Sequence, residues 1–412
     1  MFENTKTKAI AAAHHDSLVP QPYRCNMSVL ENLAGRTTQW VIVDTSYFDP
    51  ATHSFMRGDI EIDGSKIERI LPPKTSRRTE VLPGREIVCV PGFINADTGL
   101  DQEDWPEHSH ELARCGITTA GSFNRDLPDC DGFEGGGSVR RLIYVELGES
   151  QSGDGLAGID RQALERFERA ANSRAFDRCT LLPAVVPREI WSAASLITVT
   201  SLAERVGRRL CVRLSGTKAD AKNYAETRFF SEIGLLSYLH ILTSNVTIFE
   251  LSQLSRRDAI MLRESSASLV CVPKAMSEPS TGQGCTTPSF RDRAIGLSLS
   301  NESVADLNRH ASMLMSSTTL TYGSERDTQT CNALVDALTH SAASALGLNG
   351  IGAIAANMKA DLCLFDRPSD FYSGRDSLLF IRLLVSGRPR HVLIDGLPVV
   401  VNGVFVGEVA HV

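Results

Sequence analysis

Short apolar runs alternate with amphipathic stretches through the middle of the chain. Eight of these runs are rich in Val, Ile and Leu and are typical of strands: residues 87–95, 117–123, 141–147, 179–186, 209–215, 245–251, 267–273 and 294–300. Strands that alternate with helices imply a parallel sheet, and eight such units predict an α/β fold of the (β/α)8 TIM-barrel type. No G-x-G-x-x-G motif follows any of these runs, which argues against an open doubly wound sheet.

The stretches between the strands carry apolar residues at helical spacing. We predict helices over residues 160–172, 195–207 and 255–264. Asp160 and Ser255 are the expected N-caps, and Ile260 and Leu262 are the expected inward residues of the third helix. In a barrel of this kind the chemistry lies on the loops at the C-terminal ends of the strands.

Both ends of the chain show β-hairpin signals. Residues 58–70 alternate around Asp63-Gly64, and residues 391–406 contain turns at Asp395-Gly396 and Asn402-Gly403. The sequence therefore predicts a small β-sandwich built from residues 39–86 and 362–412, a barrel over residues 87–361, and an N-terminal arm over residues 1–38.

Composition and charge exclude several classes of protein. Of the 412 residues 42% are hydrophobic and 22% are charged, as in ordinary globular proteins. A net charge of -7, without clustered Lys or Arg, gives no face for nucleic acid. No apolar stretch is long enough for a membrane span, and no signal peptide is evident, so we expect a cytoplasmic protein. The ten cysteines form no C-x-x-C pair and are expected to be reduced, buried thiols.

Several motifs resemble those of one superfamily of hydrolases. Residues 90–100 (VPGFINADTGL) resemble a first barrel strand written P-G-[FL]-[IV]-[ND]-x-H-x-H, and residues 339–348 and 350–366 resemble the later A-x-A-L-G and G-x-I-x-x-G-x-x-A-D-L motifs. Gly58-Asp59-Ile60 adds a further match near the N-terminal end, so the similarity spans residues 39–406. These motifs resemble those of the amidohydrolase superfamily. Their spacing is most similar to the branch that contains cytosine deaminase, triazine hydrolases and adenosylhomocysteine deaminases. The resemblance implies a (β/α)8 barrel with a small β-sandwich.

The same resemblance implies a metal site, and here the chain departs from the family. The family holds one or two divalent metals with histidines from strands one, five and six and an aspartate from strand eight. At these positions the chain carries Asp97 and Gly99, Arg213, Glu250 and Asn301. The position of the family's acid/base glutamate carries Gly216. Arginine stays charged in proteins and repels a divalent cation, so we predict no metal and no other cofactor.

The replacement residues are themselves candidates for chemistry. We predict Asp97, Arg213, Glu250 and Asn301 as catalytic residues, because two carboxylates, a fixed cation and an amide suit metal-free acid/base catalysis. Glu149, Lys218 and Lys274 follow strands and are predicted to bind substrate. Glu146 lies nearby, but Glu149, on the loop, is the preferred candidate of the two.

Three functions remain open from the sequence. The first is a metal-independent enzyme, related to hydrolases of C–N bonds, that acts on a small polar or nitrogen-containing metabolite by hydrolysis, cyclisation, dehydration or isomerisation. The second is an inactive pseudoenzyme that serves as a binding or assembly subunit. The third is an orthodox metal-dependent hydrolase or deaminase with unusual ligands. The expected partners are a small-molecule substrate and further copies of the chain, as a homodimer or other homo-oligomer, with neither nucleic acid nor membrane.

Overall fold

The computed structural model describes residues 30, 39–100, 103–125, 127, 139–151, 157–173, 179–187, 192–251, 254–271, 294–297, 325–369, 371 and 376–406. The strands are β1 (Gln39–Asp49), β2 (Ser54–Asp63), β3 (Lys66–Leu71), β4 (Val81–Pro83), β5 (Ile87–Pro91), β6 (Phe93–Asn95), β7 (Ile117–Asn124), β8 (Arg140–Glu146), β9 (Glu149–Gln151), β10 (Ala157–Ile159), β11 (Cys179–Val185), β12 (Leu210–Arg213), β13 (Val246–Phe249), β14 (Ser268–Cys271), β15 (Ile295–Leu297), β16 (Leu362–Asp366), β17 (His391–Ile394), β18 (Leu397–Val401) and β19 (Val404–Phe405). The helices are α1 (Trp105–Arg114), α2 (Arg161–Ala171), α3 (Ala193–Arg205), α4 (Lys218–Arg228), α5 (Glu232–Tyr238), α6 (Arg256–Glu264), α7 (Glu325–Leu338), α8 (His340–Ala345) and α9 (Asp376–Ser386). The predicted arm, apart from Leu30, lies outside the described residues.

Eight strands form the predicted parallel barrel. They pair side by side in the order β6, β7, β8, β11, β12, β13, β14 and β15, and every pairing is parallel. The two outer strands approach each other, since a Cβ placed on Gly296 of β15 would lie 3.3 Å from the Cβ of Ala96, which follows β6. The (β/α)8 prediction is therefore confirmed, and all of its strands point their C-terminal ends the same way.

The chain ends build a second sheet, as the hairpin patterns predict. Its strand order is β19-β18-β17-β16-β5-β1-β2-β3, with β4 paired to β1. The predicted turns are present: Asp395 and Gly396 have φ of 53° and 75°, and Asn402 and Gly403 have φ of 52° and 74°. Two successive positive φ angles are the requirement of a type I′ hairpin turn, which Asp-Gly and Asn-Gly sequences meet.

The predicted single strand over residues 87–95 is two strands. Residues Ile87–Pro91 pair with β1 and β16 in the second sheet, whereas Phe93–Asn95 pair with β7 in the barrel. Gly92 stands at the crossing, and a Cβ there would clash with the side chain of Thr118. A continuous apolar run gives no sign of such a change of sheet, which is why the prediction was wrong on this point.

A buried ion network joins the barrel to the second sheet. Arg140, at the start of β8, donates from Nη1 to Oδ2 of Asp361 at 2.6 Å and from Nη2 to Oδ1 of Asp395 at 2.9 Å. Lys359 donates to the same Asp395 oxygen at 2.6 Å. Asp361 belongs to the A-D-L motif, so this motif carries the junction between the two sheets.

The helix predictions hold with small shifts at the ends. Asp160 accepts hydrogen bonds from the backbone of residues 162 and 163, and Ser255 forms a capping box with Asp258. Leu262 is buried as predicted, but Ile260 is 40% exposed, so its prediction was wrong. Residues i and i+2 of a helix face in different directions and cannot both point inward.

The cysteines follow the prediction only in part. Among the described residues, buried free thiols are found at Cys89, Cys115, Cys179, Cys211, Cys331 and Cys363. Cys271 is instead disulfide-bonded, which corrects the expectation of reduced thiols at this position. No helix in the described part of the chain has both the length and the apolar character needed to cross a membrane.

Candidate active site

Four charged residues occupy the C-terminal end of the barrel. Asp97 follows β6, Glu146 is the last residue of β8, Arg213 is the last residue of β12, and Glu250 follows β13. The charges of the other three each act on the pKa of Asp97, which places all four in one electrostatic neighbourhood. This is the end of a (β/α)8 barrel at which active sites lie.

The two-residue period of a strand explains how Glu146 and Arg213 reach this position. Leu142 and Tyr144 of β8 and Cys211 of β12 belong to the cluster of side chains that fills the barrel interior. Because side chains two residues apart share one face of a strand, Glu146 and Arg213 continue the inward rows to the mouth of the barrel.

Glu250 reaches the site by a different route. Phe249 is part of the interior cluster, so strict alternation would turn the next residue outward. Glu250 instead has φ of 59°, in the left-handed region that non-glycine residues seldom adopt. A Cβ placed on Gly216 would lie 3.7 Å from Oε2 of Glu250. The Glu250 carboxylate thus lies beside position 216, where the resembled family has its acid/base glutamate.

Arg213 is held between a carboxylate and an aromatic ring. Its Nη1 lies 3.3 Å from Oε1 of Glu146, and its guanidinium carbon lies 5.1 Å from the centre of the Phe123 ring. Arg125 also approaches Glu146, with its Nε 3.9 Å from Oε2. Ion pairing and contact with an aromatic face both restrict the guanidinium, which therefore places a fixed cation at the C-terminal end of the barrel.

The environment of Asp97 changes the pKa of its carboxyl. It is 6% exposed, and burial raises the pKa of its carboxyl from 3.8 to about 7, with Glu250 and Glu146 acting in the same direction. The backbone N–H of Gly99, which donates to Oδ1 at 3.1 Å, and the charge of Arg213 lower this pKa. The effect of desolvation, which raises the pKa of Asp97, is larger than these two lowering effects. Arg213 also forms an ion pair with Glu146, so its charge does not act on Asp97 alone.

An aromatic cluster inside the barrel contacts the backbone next to Asp97. The rings of Phe123, Tyr144 and Phe249 pack together with centroid separations of 4.8 to 5.0 Å. The hydroxyl of Tyr144 donates to the carbonyl of Ala96, the residue before Asp97. Because Tyr144 is held within this cluster, its hydrogen bond fixes the backbone that carries Asp97.

The other predicted residues have varied positions. Glu149 accepts the backbone N–H of Ser192, the N-cap of α3, at 2.8 Å. Lys218 is exposed at the first position of α4. Asn301 and Lys274 lie outside the described residues. From the sequence, Glu149 was preferred to Glu146 as the substrate-binding residue. The two-residue spacing of Leu142, Tyr144 and Glu146 along β8 was the signal that could have identified Glu146 instead.

The donors at this site do not fit the zinc centre that the resemblance implies. In the part of the chain that the structure describes, no group of three or more His, Cys, Asp or Glu residues is arranged to hold a metal ion. Asp97, Glu146 and Glu250 supply oxygen atoms only, and Arg213 carries a positive charge among them. A zinc site of this class needs imidazole donors as well as carboxylates.

Comparison with known proteins bears on the fold. No known family matches the sequence, and no curated protein matches it either. Among solved structures the chain resembles a zinc-bound adenosine deaminase from Xanthomonas campestris, with a TM-score of 0.68 and 16% identity over 89% of this chain and 94% of the other. Atrazine chlorohydrolase from Arthrobacter aurescens TC1, complexed with zinc, gives a TM-score of 0.66 and 13% identity over 89% and 96%. Aminofutalosine deaminase from Helicobacter pylori gives 0.68 and 15% over 88% and 100%.

These similarities define the class of fold. The chain has the fold of these structures, a TIM barrel joined to a β domain, which is the architecture that the motif resemblance implies. The particular structures named here are two deaminases and a chlorohydrolase, of which the first deaminase and the chlorohydrolase contain zinc, and their identity to this chain is low enough that the likeness concerns architecture alone.

Proposed function

We propose that the protein is an enzyme that acts on a small polar or nitrogen-containing metabolite by acid/base catalysis without a metal ion. The observation that carries the proposal is the Asp97 carboxyl, which is buried at the barrel mouth beside Arg213 and has a pKa of about 7. A general acid or base works best when its pKa is near the working pH, and a buried carboxyl with a specific charge partner is typical of active sites.

The site residues support distinct roles in this chemistry. Asp97 exchanges its proton readily near neutral pH and serves as the proton-transfer group. Arg213, fixed by Glu146 and Phe123, binds a carbonyl or anionic oxygen of the substrate and stabilises negative charge that develops there. Glu250, beside position 216, provides a second carboxylate for proton transfer. Asn301, Glu149, Lys218 and Lys274 remain predicted contributors.

The structural neighbours support the substrate class. Two of those named above are deaminases and one is a chlorohydrolase, and the Helicobacter pylori enzyme has also been solved with methylthio-coformycin. We extend to this chain only the class of small nitrogen-containing substrates. The predicted cytoplasmic location and homo-oligomeric state belong to the same proposal.

Metabolite profiling of the purified chain tests the proposal. Wild type, treated with a chelator and checked for residual metal by mass spectrometry, is incubated with a cell-derived metabolite extract, alongside Asp97→Asn and the surface control Glu204→Gln. We expect wild type and Glu204→Gln to convert the same compound and Asp97→Asn to lose the activity. Activity that disappears with the chelator and returns with zinc would refute the metal-independent chemistry.

One observation favours a second candidate, the inactive binding subunit. The pairing of Arg213 with Glu146 at 3.3 Å partly neutralises both charges within the pocket itself. If the protein is such a binding subunit, neither wild type nor any variant converts a compound in the extract, while wild type still binds ligands from it. Retained binding by wild type together with unaltered metabolites would select this candidate.

A further inference from the structure

A cavity lies at the opposite end of the barrel from Asp97. Its volume is about 460 Å³, within the range of sites for small molecules. Arg140 and Thr180 line it from the beginnings of β8 and β11, and Arg208, Arg209 and Asn245 line it from just before β12 and β13. These positions mark the N-terminal ends of the strands, so the cavity is separate from the candidate active site.

The cavity carries more positive charge than its neighbours neutralise. Four cations line it, at Arg140, Arg208, Arg209 and Lys359. Asp361 and Asp395 pair with Arg140, and Asp395 also pairs with Lys359. Neither Arg208 nor Arg209 forms an ion pair with any residue that the structure describes. Four cations against two carboxylates leave two positive charges, in a chain whose net charge is -7.

The two arginines are built into the wall of the cavity. Arg209 donates from Nη1 to Oγ of Ser268 at 2.9 Å, and its side chain crosses Gly347, where a Cβ would lie 2.9 Å from its Cδ and Nε. The Nε of Arg208 is buried and has no hydrogen-bond partner within the described structure. Burial also lowers the pKa of Arg209, and no carboxylate acts against that effect. A buried donor and an uncompensated cation are both costly unless a ligand satisfies them.

We propose that this cavity binds the phosphoryl group of a small organic phosphate. A phosphomonoester carries a charge of about -1.5 to -2 at neutral pH, which matches the two surplus positive charges, and the planar guanidinium suits its oxygen atoms. Leu182, Leu346, Leu348 and Ile351 line the same cavity and offer an apolar surface to the carbon body of the ligand. Because the cavity is remote from Asp97, the ligand is an effector or a stabilising molecule and not the substrate.

Calorimetric titration of the full chain tests this site. The probes are inorganic phosphate, ribose 5-phosphate and AMP, with citrate as a carboxylate probe and sodium chloride at matched ionic strength as the blank. We expect saturable binding of at least one phosphomonoester. Arg208→Gln should weaken it by roughly ten- to a hundredfold, as expected for loss of hydrogen bonds to a charged group.

Matched variants separate the site from general charge effects. Arg166→Gln, an exposed arginine of α2, and Asp97→Asn should bind like wild type, and Arg208→Lys should fall between wild type and Arg208→Gln. Circular dichroism confirms that each variant is folded, and Arg209→Lys provides a second variant if Arg208→Gln does not fold. Absence of saturable binding of every phosphate at millimolar concentration overturns the proposal. Equal binding by Arg208→Gln, or binding of citrate alone, overturns it as well.

Discussion

Replacing Asp97 with asparagine should change how the stability of the protein depends on pH. In the unfolded chain this carboxyl ionises at its ordinary value of 3.8, whereas in the folded protein its pKa is about 7. Between these values the folded state holds a proton that the unfolded state has released. The contribution of Asp97 to the free energy of unfolding therefore decreases as pH rises from about 4 to about 7, because its carboxyl holds more protons in the folded state in this window.

The size of the effect follows from the shift. A rise from 3.8 to about 7 corresponds to roughly 4 kcal/mol at about 1.4 kcal/mol per pKa unit. This free energy is the cost, in the folded state, of ionising Asp97 in a buried position. Near pH 5 it lowers the free energy of unfolding by only about 2 kcal/mol, and near pH 8 it does so by nearly the full amount. Asparagine keeps the shape and still accepts from the Gly99 N–H, but it does not ionise. The advantage of Asp97→Asn over wild type should thus grow by about 2 to 3 kcal/mol between pH 5 and pH 8.

Urea denaturation at a series of pH values, followed by circular dichroism, measures this difference. Glu204→Gln is the matched control, since it removes an exposed carboxylate of α3, and its difference from wild type should stay nearly constant. A flat difference for Asp97→Asn between pH 5 and pH 8 would contradict the argument. A difference that shrinks with rising pH would show that Arg213 stabilises an ionised Asp97 more strongly than burial disfavours it.

Three further changes have defined outcomes. Arg213→Gln removes the cation that lowers the pKa of Asp97, so the stability loss should extend to higher pH in the same urea series, and an unchanged pH range would argue against the coupling. Arg140→Met leaves Asp361 and Asp395 without their buried partner and should cost about 3–5 kcal/mol in the free energy of unfolding, whereas a loss under about 1 kcal/mol would contradict that role. Burial lowers the pKa of His391 from 6.5 to about 4, so this residue should contribute a loss of up to about 3 kcal/mol as pH falls from 6.5 to 4, opposite in sign to the contribution of Asp97. His391→Gln should remove this acid dependence when the two proteins are compared by the same denaturation.

Much of the architecture follows from local sequence patterns. Apolar runs marked each of the eight barrel strands, and the Asp395-Gly396 and Asn402-Gly403 pairs marked the hairpins, because their backbone geometry depends on neighbouring residues alone. The division of residues 87–95 between two sheets depends on contact between Gly92 and Thr118, 26 positions further along the chain. A pattern read along the chain contains no such contact.

The candidate site was only partly predictable for the same reason. The motif positions placed Asp97, Arg213 and Glu250 at strand ends, and the structure brings the three together. Glu146 was readable from the row of Leu142 and Tyr144, but beyond the end of β8 the period no longer applies, and Glu149 turns to the N-cap of α3. Glu250 points inward because its φ is positive, and no pattern in the sequence predicts that backbone angle.

The electrostatics of the site depend on which neighbours an acid has in three dimensions. Asp97 and Glu146 are both acids at strand ends, and both face Arg213. They differ because Glu146 makes a direct ion pair with Arg213 and is approached by Arg125, whereas Asp97 is 6% exposed and accepts a hydrogen bond from the backbone of Gly99. For Asp97 the charge of Arg213 does not outweigh desolvation, so the pKa of its carboxyl rises to about 7. A buried carboxyl with a pKa near neutrality and a fixed cation nearby is an arrangement that suits proton transfer, and it arises from contacts in three dimensions between residues that lie more than one hundred positions apart in the chain.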